Sequence, residues 1–258
     1  MISAAVAQAV NNILTHAAWL STSYSMTSSL LDKNHSSINI LALEASGDHA
    51  SVALCQDGVI LDDRVLRARH GHAASFVDMA AEMVDSSPLS FSDITHIAAG
   101  VGPGSFTGLR VCLAAAKGFT LAGDLIGWGV NGLRARALAS LRQYPGQRVL
   151  SCADTRRGPY FTQGFDEKGA PVSAITEIMP DALEAHCQEL GLADAMIAIP
   201  PSELSSPAAA IAIDMTAIDI ALSCWHDYQK GEHPQPLDPL YVAAPKLGPS
   251  KSSQAGIK

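Results

Sequence analysis

The feature that most constrains the fold of this chain is a glycine-rich segment at positions 102–110. Its sequence is Gly102-Pro103-Gly104-Ser105-Phe106-Thr107-Gly108-Leu109-Arg110. An apolar segment, 96–100, precedes it, and a segment rich in small residues, 109–123, follows it. Glycine reaches positive φ without steric cost and proline fixes φ, so this spacing specifies one backbone path. It predicts a strand, a tight loop and a helix N-terminus in series, which presents backbone N–H groups to an anion or a partner.

The loop differs from the common phosphate-binding and nucleophile motifs. No Gly-Lys-Ser/Thr follows it, and its last glycine spacing is one residue too long for Gly-x-Gly-x-x-Gly. A nucleophile elbow needs glycines two residues before and after the serine, but Pro103 and Thr107 stand there. We therefore favour a capping role, in which Ser105 or Thr107 accepts N–H bonds from the following helix. A serine peptidase built on Ser105 is the alternative.

Apolar segments separated by turn residues predict a βββαβα unit in the first half of the chain. Strands are expected at 38–43, 50–55 and 59–67, with Asp57-Gly58 as the turn of the second hairpin. A helix is expected at 72–84 from an apolar face at helical spacing. That face comprises Phe76, Val77, Met79, Ala80, Met83 and Val84. It can pack only on its own sheet or also cover a face of another subunit.

The second half repeats this pattern in shorter form. Strands are expected at 149–153, 160–165 and 171–175 and helices at 181–190 and 213–228, whereas 191–212 shows little periodicity. The repeat suggests two related lobes that face each other. We place the first lobe at 37–145 and a reduced second lobe at 146–246. Residues 1–36 are expected to be a non-core extension, and 247–258 a disordered tail.

Each lobe begins with an acidic turn, and such a pair is similar to the phosphate clamp of the actin, sugar-kinase and Hsp70 ATPase superfamily. Glu44 and Asp154 occupy the corresponding places, with Arg156 and Arg157 beside the second. In that superfamily the carboxylates hold Mg²⁺ beside the phosphates of ATP. This makes an autonomous ATP-dependent kinase one candidate function. The alternative is a solvated turn with a local ion pair, which contributes less than about 1 kcal/mol to stability.

Composition narrows the class of protein. The net charge of −8 argues against independent nucleic-acid binding. The five cysteines form no Cys-x-x-Cys, which favours reduced, buried thiols in a cytoplasmic protein. No His-x-x-x-His occurs, so we expect no histidine-bound metal. The first basic residue is Lys33, which argues against a signal peptide; the extension is either a peripheral helix or precedes a true start at Met26.

Several motifs, in this order along the chain, resemble the TsaB (YeaZ) family. The most specific is the glycine-rich segment at 102–110. The others are Leu41-Ala42-Leu43-Glu44-Ala45-Ser46, His72 at a helix start, Gly129-Val130-Asn131-Gly132-Leu133, Asp154-Thr155-Arg156-Arg157-Gly158, and Pro239-Leu240-Tyr241-Val242. The likeness covers about residues 38–243. Glu44 stands where the family usually has Asp.

The resemblance implies an α/β fold: a two-lobed, actin-like ATPase (RNase H-like) architecture with a reduced second lobe. It implies a non-catalytic subunit that supports the catalytic paralogue TsaD and is joined by the ATPase TsaE. Together these install N6-threonylcarbamoyladenosine beside the anticodon of tRNAs that read codons beginning with A.

The resemblance also assigns site residues and partners. The first-lobe helix would contact TsaD, which implicates His72, Phe76, Met79 and Met83. The tRNA would be bound through the complex, and a homodimer is possible when the chain is alone. No cofactor is expected, except ATP or ADP bound weakly or at the joint between subunits.

Overall fold

The computed structural model describes residues 37–67, 72–201 and 210–242, with the backbone alone at 72–75. The expected extension at 1–36 and the tail at 247–258 lie outside these residues. Two five-stranded mixed sheets form the centres of two lobes. The predicted α/β, two-lobed fold class is confirmed.

The first sheet contains β1 (Asn39–Glu44), β2 (Ala50–Gln56), β3 (Val59–Leu66), β4 (His96–Gly102) and β5 (Ile126–Asn131), in the order β3-β2-β1-β4-β5. The first three strands are antiparallel, while β4 and β5 run parallel to β1. Asp57 and Gly58 have φ of 49° and 83°, as the predicted two-residue hairpin turn requires. The helices α1 (His72–Asp85) and α2 (Phe106–Gly123) pack on one face of this sheet.

The second sheet has the same topology, which confirms the predicted repeat. It contains β6 (Val149–Asp154), β7 (Tyr160–Phe165), β8 (Thr176–Ile178), β9 (Met196–Ile199) and β10 (Ala210–Ala212), in the order β10-β9-β6-β7-β8. The other α-helices of the described residues are α3 (Gly132–Gln143), α4 (Leu183–Glu189) and α5 (Ala217–Gln229). The helix α4 packs on one face of this sheet.

Three details differ from the sequence-based expectation. The third strand of the second sheet lies at 176–178 rather than 171–175, where only Pro171 bridges Phe165. The strands β9 and β10 occupy a segment without periodicity, because strands of four and three residues are too short for an alternating pattern to be recognised. The strand β5 and the helix α3 were also missed, since β5 contains two glycines that weaken a strand prediction.

Two helices pack on the sheet of the other lobe, across the predicted lobe boundary at 145/146. The helix α3 precedes the boundary, yet its Leu133 packs with Val149 and Phe165 of the second sheet. The helix α5 follows the boundary, yet its Ile220 packs with Trp128 of the first. The boundary therefore separates the sheets but not their helices, and each lobe is completed by a helix from the other half of the chain.

The glycine-rich loop packs against the backbone of the turn between β1 and β2. A Cβ atom on Gly108 would lie 1.9 Å from the Ala45 carbonyl oxygen, and one on Gly104 would lie 2.5 Å from that of Ser46. The Ser105 N–H donates to the Ser46 carbonyl at 2.8 Å. Ser105 is also the N-cap of α2, and its hydroxyl accepts from the Gly108 N–H at 3.3 Å. The loop thus holds the β1–β2 turn, and the capping interpretation of Ser105 is confirmed.

The helix α1 uses its apolar face within the chain, which corrects part of the predicted partner surface. Phe76 and Met83 are fully buried in the core of the first lobe, and Met79 packs against the same core. An amphipathic helix turns its apolar stripe to its own sheet, so Phe76 and Met83 have no atoms to offer a partner. Val77 remains 37% exposed. His72 begins the helix, but its side chain lies outside the described residues.

All five cysteines are buried free thiols, as expected. Burial raises the pKa of Cys55 to about 11, and it also raises the pKa values of the other four thiols. These cysteines therefore act as small apolar core residues rather than as nucleophiles.

We predict that Gly108→Ala lowers the free energy of unfolding by about 1–3 kcal/mol, because the new methyl group would overlap the Ala45 carbonyl. The matched control is Gly118→Ala in the same helix, where a Cβ meets no atom within 4 Å. That control should be neutral or stabilise by up to about 1 kcal/mol. Urea unfolding of both variants measures the difference, and equal effects would contradict close packing at Gly108.

Candidate functional site

A small cleft of about 100 Å³ lies between the two lobes. The β1–β2 turn contributes Ser46 to His49, and the β6–β7 turn faces it. The side chain of Arg136, on α3, and that of Met215, just before α5, also line the cleft. The other lining residues are Arg67, Pro103, Gly104, Ala153, Asp154, Arg156, Pro200, Pro201 and Asp214.

Glu44 does not line the cleft, which corrects its predicted role in phosphate or metal binding. Its side chain is buried, and Oε1 accepts hydrogen bonds from the N–H and the hydroxyl of Ser46. Its Oε2 is buried without a hydrogen-bond partner and fills the space that a Cβ atom on Gly100 would need. A carboxylate below the turn cannot reach a ligand in the cleft, so Glu44 supports the turn from beneath.

Burial raises the pKa of Glu44, because desolvation of the carboxylate outweighs the Ser46 hydrogen bonds and the attraction of Arg136. Arg136 is itself buried, donates to the Ile213 carbonyl and has an unpaired Nε. Burial lowers the pKa of Arg136, although an arginine remains charged in a protein. The Glu44 carboxylate beneath the turn and the Arg136 guanidinium at the cleft therefore each favour the charged form of the other.

Asp154 is at the cleft as predicted, but Arg156 holds both of its carboxylate oxygens. The Arg156 backbone N–H donates to Oδ1 at 2.6 Å, and its Nε lies 3.2 Å from Oδ2. The same guanidinium reaches Asp48 of the opposite turn, with Nη2 2.5 Å from Oδ1. Arg157 points elsewhere and pairs with Glu177 at 3.7 Å. Of the four predicted phosphate-region residues, Asp154 and Arg156 meet at the cleft, while Glu44 and Arg157 do not line it.

Several cleft residues, among them Asp48, His49 and Asp214, were not predicted as site residues from the sequence. Asp214 lies 3.3 Å from Arg67 and 3.7 Å from the buried ring of His49, whose Nε2 has no partner. Asp48 faces Arg156. The neighbours Gly47 and Asp48 signal a turn, but nothing in the local pattern of 210–216 indicates that Asp214 meets residues far earlier in the chain.

The cleft does not fit a magnesium–nucleotide complex. Ligand pockets usually enclose about 300–1,000 Å³, whereas this cleft encloses about 100 Å³. Both Asp154 oxygens already contact Arg156, so a cation at this carboxylate would have to compete with the guanidinium of the chain itself. Within residues 37–67, 72–201 and 210–242, no group of three or more His, Cys, Asp or Glu residues is placed to hold a metal ion. We therefore derive no nucleotide-dependent step at this site.

A second candidate surface lies on the outer side of α1 and α2, which pack against each other. Among the described side chains of these helices, the exposed large apolar ones are Val77 on α1 and Phe106 and Leu121 on α2, the last 78% exposed. Asp78, Glu82 and Asp85 add an acidic stripe to α1.

Among the described helices, none is long and apolar enough to cross a membrane.

At the N-terminus of α2, three residues of the glycine-rich motif are exposed: Phe106, Thr107 and Arg110. The Arg110 guanidinium lies 3.9 Å from the centre of the Phe106 ring, and the Tyr241 ring is 6.2 Å from that ring. The glycines and Ser105 of the motif therefore shape the loop, whereas Phe106, Thr107 and Arg110 face solvent.

The raised pKa of Glu44 predicts a pH-dependent effect of Glu44→Gln. A carboxyl whose folded pKa exceeds its ordinary value of 4.5 favours the native state at low pH and loses that contribution as pH rises through the folded pKa. Glutamine does not titrate, so the stability of the variant relative to wild type should increase as pH rises from about 4.5 through the raised pKa of Glu44.

Urea unfolding between pH 4 and pH 8 measures this difference. Glu184→Gln, at an exposed position, is the control. A difference between Glu44→Gln and wild type that stays constant across this range would contradict the assignment.

Comparisons with known proteins identify the family and the fold of this chain. A family profile described as TsaD: tRNA N6-adenosine threonylcarbamoyltransferase matches residues 66–196. The tRNA threonylcarbamoyladenosine biosynthesis protein TsaB of Escherichia coli is 32% identical over 157 residues, covering 59% of this chain and 68% of that protein. Its namesake in Haemophilus influenzae is 33% identical over 132 residues, covering 51% of this chain and 56% of that protein.

A solved structure shares the fold. YeaZ from Pseudomonas aeruginosa superposes with a TM-score of 0.64 at 22% identity, covering 80% of this chain and 100% of that chain. The family profile spans half of the chain, and the match to the E. coli relative extends over two thirds of that protein. The chain belongs to the TsaB (YeaZ) family.

Proposed function

We propose that the chain is a non-catalytic partner subunit of the complex that installs N6-threonylcarbamoyladenosine next to the anticodon of tRNAs reading ANN codons. Its role is to bind and support the catalytic paralogue TsaD, with TsaE as a further partner, in the cytoplasm. The observation that carries the non-catalytic part is the inter-lobe cleft. There the chain's own Arg156 neutralises Asp154, while Glu44 is buried below the turn.

The alternative functions lack the geometry that each requires. A kinase of this fold needs carboxylates free to hold Mg²⁺ beside a nucleotide, and Arg156 holds Asp154. A serine peptidase needs a base hydrogen-bonded to its nucleophile. In the described part of the chain, no histidine is hydrogen-bonded to Ser105, whose hydroxyl accepts from the Gly108 N–H. We therefore favour the accessory role over both.

We propose the outer side of α1 and α2 as the surface that meets TsaD. This replaces the predicted contribution of Phe76 and Met83, which are core residues. Val77 and Leu121 supply exposed apolar area on two helices that pack against each other. A heterodimer interface of ordinary size, about 1,600 Å² in total, would cover them. The same surface can support a homodimer when TsaD is absent.

The net charge of −8 is consistent with a complex in which the partner subunits, rather than this chain, contact the tRNA. A protein that binds nucleic acid by itself places basic residues against the phosphates. The acidic stripe of α1 would repel a phosphate backbone, whereas it would attract a basic protein surface. The tRNA therefore reaches this chain only through the complex.

We predict that cells depleted of this chain lose N6-threonylcarbamoyladenosine from tRNAs reading ANN codons, and that the wild-type chain restores it. The measurement is mass spectrometry of digested tRNA. The purified chain without TsaD should transfer no threonylcarbamoyl group to tRNA. Fully modified tRNA in the depleted cells would contradict the proposed function, and transfer by the purified chain alone would contradict its non-catalytic part.

We predict that Val77→Glu combined with Leu121→Glu weakens binding to TsaD by at least about 100-fold, because it buries two unpaired carboxylates. Both positions are exposed, so the melting temperature should stay close to that of wild type. The matched control is Val172→Glu, at an exposed valine of the second lobe, which should bind normally. Isothermal calorimetry with purified TsaD measures the affinity. Unchanged binding by the double variant would place the interface elsewhere.

A further inference from the structure

The two lobes are joined on the inner side of the cleft by packed helices and at its mouth by ionic contacts. At the inner side α3 and α5 pack together, with Arg134 2.6 Å from Asp227 and Arg142 bonded to Asp219. These pairs link a helix packed on the second sheet to one packed on the first. The lobes therefore meet in two places, at the packed helices α3 and α5 and at the ionic contacts of the cleft.

At the mouth, the guanidinium of Arg156 stands between carboxylates of opposite turns. Asp154 belongs to its own turn, at the end of β6, and Asp48 belongs to the β1–β2 turn of the first lobe. Asp154 is only 17% exposed, so its attraction to Arg156 is less screened than that of a surface pair, whereas the contact across the lobes joins two half-exposed side chains, Arg156 and Asp48. The positive charge that would balance two facing acidic turns is thus supplied by the chain itself.

The backbone at Arg156 is held in an uncommon conformation that aims this side chain. Its φ is 59°, in the left-handed region that non-glycine residues rarely adopt. The N–H bond to Asp154 Oδ1 and the Thr155 hydroxyl, which accepts from the Arg157 N–H at 3.2 Å, support the turn. A residue in a strained conformation persists only where the surrounding structure holds it there. This suggests a specific structural role for Arg156.

We propose that Arg156 is a positioning residue that clamps the two lobes across the cleft, so that the inter-lobe angle is set by an internal cation rather than by a bound ligand. Asp48 and Asp154 are its two anchor points. A second contact, between Arg67 at the end of β3 and Asp214 just before α5, lies on the same cleft. The clamp goes beyond the proposed function, because it concerns the isolated chain and requires no partner.

The chain offers a matched control for this clamp. Arg157 is the next residue, is 47% exposed against 49% for Arg156, and pairs with Glu177 inside the second lobe. Removing the charge of either arginine changes the net charge equally. Only the loss of Arg156 removes a contact between the lobes.

The test measures the distance between lobes in the full-length chain. Spin labels are attached to cysteines introduced at Asp63 on β3 and Glu184 on α4, both exposed, while the native cysteines are buried. We expect Arg156→Gln to broaden the distance distribution from pulsed electron paramagnetic resonance and shift its mean, whereas Arg157→Gln keeps the wild-type distribution. The same broadening in both variants, or in neither, would overturn the proposal.

A rescue experiment separates a clamp from a general effect on folding. Asp48→Arg in the Arg156→Gln background places a guanidinium on the opposite turn, where it faces Asp154. We expect this double variant to recover the narrow distribution, with thermal melting confirming that all variants are folded. Failure of the rescue in a folded double variant would show that the ion pair does not set the inter-lobe distance. Neither result depends on TsaD binding, so this test is independent of the proposed function.

Discussion

The close approach of the glycine-rich loop to the β1–β2 turn is the contact on which the first lobe depends. Gly104 and Gly108 let the loop and the start of α2 touch the backbone carbonyls of Ser46 and Ala45. Side chains at these two positions would separate α2 from β1, because the overlap is with backbone rather than with flexible side chains. The same contact fixes the turn that carries Asp48 to the cleft. The glycines of the loop therefore also determine where Asp48 lies in the cleft.

The exchange of helices between lobes links the two sheets of this chain through shared cores. Each sheet buries one face against a helix from the other half of the chain, so neither half can complete its core alone. Residues 235–240 add a further link, since Leu240 donates to the Val101 carbonyl and Leu237 enters the first core.

The charges that line the inter-lobe cleft, Arg136 excepted, pair with one another. Arg156 binds carboxylates from both turns, and Arg67 meets Asp214. The buried Glu44 supports the turn from beneath without reaching the cleft. Because the charges of the cleft are balanced within the chain, we propose the outer helices as the surface for recognition. This agrees with a subunit whose contribution is shape rather than chemistry.

The sequence by itself determined the family, the repeat, the hairpin turn at Asp57-Gly58 and the cap at Ser105, because these depend on residues adjacent in the chain. Only the tertiary structure decided which apolar and charged side chains are free. The periodicity of α1 defines an apolar face but cannot tell whether a sheet or a partner covers it; the sheet covers Phe76 and Met83. Likewise, Arg156 and Asp48 are 108 residues apart. Their ion pair exists because two sheets of the same topology face each other, and no local pattern encodes that distance.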